Sequence, residues 1–285
     1  MTDAEADLSM ARRLDRAGRR IRVLVLVKAT PQLSMTYGDT VCVAGLAISP
    51  GPLRWVRLYP VPFRHMDGER QFSKYMMIDV TVRDASGDKR AESLKIDAQS
   101  IELGPVLKGW GNRSAWVETA VGPTMCEVLR AVRADMNSIS LAAVRPRAVD
   151  PLEFKPHPGW SDTELARFRA WSDKGDLFRT RDPKMLEPPR LIVHVPYHCL
   201  EPGCGGHKQR NIDWELTAFQ WRYRDRPEAE LRALIEKNFY ENMFGPGKRP
   251  LIYVGNQENV QRRRSFVTLG AYYPPAEAVE GPALF

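Results

Sequence analysis

Residues 21–30 read IRVLVLVKAT. Val23 to Val27 is an unbroken apolar run rich in β-branched side chains, which suit the pleated surface of a strand. It is too short to span a membrane, which takes about 20 apolar residues. Arg12, Arg13, Arg16, Arg19, Arg20 and Arg22 precede it in the manner of a secretory signal. Lys28 nevertheless ends the run below the roughly 7 to 15 residues of a signal core, and no small-residue cleavage pattern follows. The stretch therefore reads as a buried strand, and the protein is expected to be cytoplasmic, with no membrane partner.

The segments that follow decide what kind of sheet the strand joins. YGDTVCVAGLAI (37–48), LRWVRLYPV (53–61), KYMMIDVTVRD (74–84) and AESLKIDAQSIEL (91–103) are further strand candidates, separated by turn residues such as Ser49-Pro50-Gly51-Pro52 and Ala85-Ser86-Gly87-Asp88. Five strands at short spacing with almost no helix predict a small β-barrel of OB- or PUA-like architecture over residues 21–103. Residues 1–20, charged and without a continuous apolar face, are expected to form a basic N-terminal arm.

Residues 104–285 mix both periodicities. Thr124 to Glu127 and Ser161 to Glu164 have the Ser/Thr-x-x-Glu form of helix capping boxes. ELRALIEKNFYENMF places Leu231, Leu234, Ile235, Phe239 and Met243 on one helical stripe. RLIVHVPYHC, PLIYVGN and RSFVTLGAYYP read as strands, and ISLAAVRPRAVDPLEFKP as edge strands or an extended connection, because Pro146 and Pro151 interrupt it. The expected fold class is α+β: an N-terminal small β-barrel, then a mixed α/β domain carrying a Cys/His turn.

The 285 residues are 43% hydrophobic and 27% charged, the balance of a globular protein. A formal net charge of +7 favours a polyanionic partner, DNA or RNA. The strand WVRLYPVPFR with its preceding arginine sharpens that expectation. Trp55, Arg57 and Tyr59 share one face and Arg54 lies on the other, an interleaving that suits stacking on bases and contact with phosphates. Arg54, Trp55, Arg57, Tyr59, Arg64, Lys74, Arg262, Arg263 and Arg264 are the candidate nucleic-acid contacts. The alternative is that the aromatics are core and the arginines their solvated neighbours.

HCLEPGCGGHKQRNIDWE (198–215) concentrates two of the four cysteines and two of the five histidines. Cys199, Cys204 and His207 lie on a Pro/Gly-rich turn able to bring three soft ligands together, and His198 is the expected fourth ligand of a zinc site. His194, Cys42, Cys126, His157 and Asp213 are the more remote donors. The alternatives are a glycine-rich turn holding a buried cysteine pair without metal, and a redox pair, which the four-residue gap disfavours.

Asp213-Trp214-Glu215 has two readings. On a strand, Asp213 and Glu215 share a face and could bind a divalent cation for phosphodiester hydrolysis, with His207 as the third catalytic candidate. On a helix, Asp213 is an N-cap and Glu215 a first-turn carboxylate, and the spacing of Ile212, Leu216, Phe219 and Tyr223 favours this one. Phosphate-binding, dinucleotide-binding, serine-hydrolase, zinc-protease and deaminase motifs are all missing from the sequence. Three functions stay open: a nucleic-acid-binding protein, a metal-dependent nuclease or phosphodiester hydrolase, and a small-molecule or protein-binding module. Whether the chain is an enzyme is left undecided.

Overall fold

The structure, a computed structural model, describes residues 18–31, 40–66, 68–173 and 185–279. The expected basic arm lies outside them except for its last three residues, as does the start of the second expected strand, Tyr37 to Asp39.

Five strands close into a ring. β1 (Arg19–Lys28) pairs on one edge with β2 (Val41–Ser49) and on the other with β4 (Met76–Asp84). β2 pairs with β3 (Arg54–Val61), which runs parallel to β5 (Ser93–Ile96), and β5 closes on β4. The strand count and closure are those of an OB-type barrel. β6 (Glu102–Val106) pairs with the start of β4, Met76 to Asp79, beyond the stretch that β5 takes. The single strand expected over 91–103 is thus two, because Asp97 caps a 3-10 turn, Ala98–Ser100, between β5 and β6.

The apolar run in β1 is buried on both faces. Ile21, Val23 and Val25 pack inside the barrel with Val43, Val56 and Leu58. Leu24 and Leu26 face outward into a second core with Leu141, Tyr253 and Leu269. A strand covered on both sides reads as continuous rather than alternating hydrophobicity.

After the barrel comes α1 (Trp110–Val117), which the sequence did not announce, and then α2 (Met125–Ala134), opened by the expected capping box at Thr124. β7 (Leu141–Val144) joins β12 (Leu251–Asn256) and β13 (Phe266–Tyr272) in a three-stranded antiparallel sheet. β8 (Pro146–Val149) and β9 (Glu153–Pro156) pair with β10 (Leu191–Cys199), whose other edge takes β11 (His207–Arg210). α3 (Asp162–Ser172), α4 (Trp214–Arg222) and α5 (Glu228–Glu236) complete the domain, α5 running on through a π turn, Lys237–Glu241, to Phe244.

The three-stranded sheet is the layer between the two halves. Leu251 and Tyr253 of β12 meet the outside of the barrel, while Ile252 and Val254 meet the helices through Val128, Leu216 and Ile235. No helix of the described residues is long and apolar enough to cross a membrane.

Candidate metal centre and basic cleft

The hairpin between β10 and β11 puts Cys199, Cys204 and His207 side by side. Tyr197 pairs with His207, so Cys199 ends one strand as His207 begins the next. Gly203 and Gly206 in the turn have φ of 75° and 93°, values that side-chain-bearing residues rarely adopt. The fourth group is Cys126, at the second position of α2. Glu201 ties the turn to that helix by accepting from Arg130 at 2.8 and 3.1 Å and from Thr124 Oγ1 at 3.1 Å.

The ligand atoms of Cys126, Cys199, Cys204 and His207 lie within 4.8 Å of one another. The Cys126 and Cys199 sulfurs are 3.6 Å apart, and His207 Nε2 is 3.3 Å from Cys204, 3.4 Å from Cys199 and 3.6 Å from Cys126. Zn–S and Zn–N bonds of ~2.3 and ~2.0 Å in a tetrahedron imply edges of ~3.8 and ~3.5 Å, so the cradle has the size of such a site. Burial and the neighbouring thiols push the Cys126 thiol up to about 12. Burial also opposes ionisation of Cys204, but hydrogen bonds from the Gly206 and Cys199 backbone bring it down to about 7. Burial lowers the His207 pKa, which keeps the imidazole in the neutral form that ligates metal.

His198 is not in the group. Exposure alternates along β10 through Cys199, placing His198 on the opposite face. There its Nδ1 lies 3.2 Å from the Cys204 carbonyl oxygen and its Nε2 3.9 Å from Asp150. Cys126 takes the place expected for it.

His207 belongs to the cysteine group, whereas Asp213 and Glu215 meet at Lys74. Asp213 is the N-cap of α4 and accepts the Glu215 backbone N–H at 3.1 Å. Lys74 Nζ donates to both Asp213 oxygens, at 2.9 and 2.7 Å, and to Glu215 Oε2 at 3.0 Å. The Lys74 and Asp213 side chains are 8% and 2% exposed, so this is a buried ion pair, and Lys74 is not available to a nucleic acid. Burial disfavours both charges; the two carboxylates nonetheless raise the Lys74 pKa, while the Asp213 carboxyl stays above its ordinary value. Gly270 makes room: a Cβ there would lie 2.8 Å from Asp213 Oδ2 and 3.2 Å from Lys74 Nζ, on a backbone with φ of +133°.

The aromatic strand alternates as expected, with Val56 and Leu58 inside the barrel and Trp55, Arg57 and Tyr59 outside. Its outer face is, however, covered by the second domain. Trp55 meets Tyr253 edge to face at 5.9 Å, and buried Arg57 donates to the Ser140 carbonyl at 3.0 Å. Arg64 is half-buried, and Arg263 is buried, donating to the Glu258 carbonyl and Asn137 Oδ1. Arg54, Arg262 and Arg264 are the exposed members of the set.

Arg262 instead borders a cleft of about 420 Å³ between the end of β1 and the second domain, with Trp160, Arg167 and Arg210 also in its lining. Neither Arg167 nor Arg210 forms an ion pair among the described residues, and Arg262 reaches only Gln257, at 3.4 Å. Glu164, the carboxylate of the lining, is held by the Ser161 capping box, and its charge still acts on Arg167 and Arg210. Arg167, Arg210 and Arg262 lie far apart in the chain, on α3, at the end of β11 and in a 3-10 turn, so only the fold reveals that they line one cleft.

Among solved structures, the chain is similar to the p204 HINb domain, with 9% identity, 90% of this chain and 96% of that chain covered, and a TM-score of 0.31. A murine DNA-binding protein bound to double-stranded DNA is similar at 8% identity, with 89% and 93% covered and a TM-score of 0.28. Likenesses this distant carry no weight for fold or partner. No curated protein matches the sequence. Residues 19–119 match a domain of unknown function, DUF8758, and residues 121–285 match another, DUF8757. With the second match spanning more than half of its length, the chain belongs to the DUF8757 family.

Proposed function

We propose that the protein binds nucleic acid, DNA or RNA, in the cleft between its barrel and its second domain. The observation that carries this reading is the meeting of Arg167, Arg210 and Arg262, brought by a helix, a strand end and a turn, in one cleft whose lining holds a single carboxylate, Glu164, and where none of the three forms a carboxylate ion pair among the described residues. Unpaired guanidinium groups in a concave wall raise the local concentration of phosphates. Trp160 adds a ring on which a base can stack, and the net charge of +7 points the same way. Of the contacts first expected, Arg262 is the one in this cleft, while Trp55 and Arg57 of the aromatic strand pack against the second domain.

The Cys3His group is proposed to hold zinc as a staple. With four protein ligands no coordination position is left for substrate, which is the pattern of a structural site. Bound there, the ion would fix the β10–β11 hairpin to the start of α2. The free thiols of this group suit a reducing compartment, in keeping with a cytoplasmic protein.

The test is fluorescence anisotropy with labelled single-stranded and duplex DNA and RNA of mixed sequence. Arg210→Ala should weaken binding about tenfold on every sequence, as loss of a phosphate contact does. Absence of binding, or an affinity indifferent to Arg210→Ala, overturns the proposal.

A further inference from the structure

Beside the cleft lies a second, smaller cavity of about 140 Å³ between β2, β3 and the three-stranded sheet. Ala29, Ile212, Val267 and Leu269 give it apolar walls, and Tyr59 adds an aromatic ring. Three of its lining residues contain buried polar atoms with no hydrogen-bond partner: Arg57 Nε, Thr40 Oγ1 and Asn256 Oδ1. These residues are 5%, 6% and 3% exposed. Unpaired buried polar atoms are rare in native proteins, and a group of them around one space points to a missing partner.

Their chemistry restricts that partner. Arg57 Nε can only donate, as every guanidinium nitrogen does, and its Nη1 and Nη2 already reach Cys42 and Ser140. Asn256 Oδ1 can only accept, and its amide is held in this orientation because Nδ2 donates to the Arg263 carbonyl at 3.0 Å. Thr40 can do either. An ionised phosphate or carboxylate has no proton for Asn256, and an alkyl ammonium has no acceptor for Arg57. A heteroaromatic base edge has both, next to a flat face for Tyr59 and the aliphatic walls. The volume lies below the roughly 300 to 1,000 Å³ of sites that enclose whole drug-sized ligands, which suits one ring system rather than a whole nucleotide.

We infer that this cavity receives a single nucleobase from a strand lying in the basic cleft. Thr30, Ile212 and Gln257 line both spaces, so backbone in one and base in the other is a continuous path. Extruded bases are read in this manner elsewhere, by hydrogen bonds to the edge and apolar or aromatic contact with the faces. The inference rests on the cleft being the nucleic-acid site, and the experiment separates the two.

A mixed-sequence single strand of about 12 nucleotides and an abasic strand of the same length and charge are compared for affinity. The base-bearing strand should bind the native protein about tenfold more tightly, and Val267→Phe, which fills the cavity, should narrow that gap to the part that stacking on Trp160 supplies. Thr40→Val, which removes one hydroxyl at constant volume, should narrow it. Circular dichroism checks that both variants fold. Equal affinity for the two strands, or a gap that both substitutions leave undiminished, overturns the base pocket and leaves the cleft standing. If neither strand binds, the cleft reading fails, and titration with free nucleosides decides the pocket alone: saturable binding lost in Thr40→Val supports it, and no binding overturns it.

Discussion

Lys74→Met should be among the most damaging single substitutions in this protein. Lys74 Nζ supplies the counter-charge to both oxygens of Asp213, which is 2% exposed and sits where the barrel meets α4. Methionine preserves most of the side-chain volume and removes the charge, leaving a carboxylate buried without a partner. Removing one member of such a pair costs about 3–5 kcal/mol, a large share of the roughly 5–15 kcal/mol that hold a domain together. Replacing both members should cost far less, because Asn at 213 still caps the helix and no longer needs a cation. The sign with pH follows from the Asp213 carboxyl, which burial already raises above its ordinary value and which rises further without Lys74. The folded variant then holds a proton that the unfolded chain has released, so its stability falls as pH rises above the unfolded carboxylate pKa near 3.9. Urea denaturation of Lys74→Met, Asp213→Asn and the double variant at pH 5 and pH 8 is the assay. A Lys74→Met cost below about 1 kcal/mol at pH 8, or single costs that simply add in the double variant, would refute the pairing argument.

The purified protein should contain about one zinc per chain by elemental analysis. Cys126→Ser or Cys199→Ser should lose it and His198→Ala should keep it; retention in Cys126→Ser would exclude the four-residue set described above. Asp88 offers a test at acid pH. Burial works against its charge, but hydrogen bonds from Arg90 and Ser93 hold the carboxyl at about 2. Because this lies below the unfolded value, the contribution of ~2 kcal/mol is present above about pH 4 and is lost as pH falls towards 2. Asp88→Asn should therefore destabilise the protein at pH 7 and hardly at all near pH 2, as read by thermal melting at the two values.

How far the sequence foretold the fold depended on whether a segment's neighbours were local. β1 to β4, the two capping boxes and α5 declare themselves by period and turn chemistry. β11 has only four residues, and exists because β10 offers an edge. α1 lacks a side-chain cap and a continuous apolar stripe; it is held through contacts such as that of Ser114 with Tyr272. The same division governs the sites. Cys199, Cys204 and His207 share a turn and could be grouped by spacing. Cys126 lies 73 residues before Cys199 and was one remote donor among several. The alternation of Trp55, Arg57 and Tyr59 was legible, but a pattern of two faces does not say whether the outer one meets solvent or another domain.

The dependence of binding on salt tests the central claim most directly. For a single strand, log K falls against log salt with a slope of about −0.7 per phosphate neutralised. The variant with Arg167, Arg210 and Arg262 all changed to Ala should therefore bind more weakly than the native protein, with a slope shallower by about 2. Equal slopes and equal affinities in the two proteins would contradict a nucleic-acid site in this cleft.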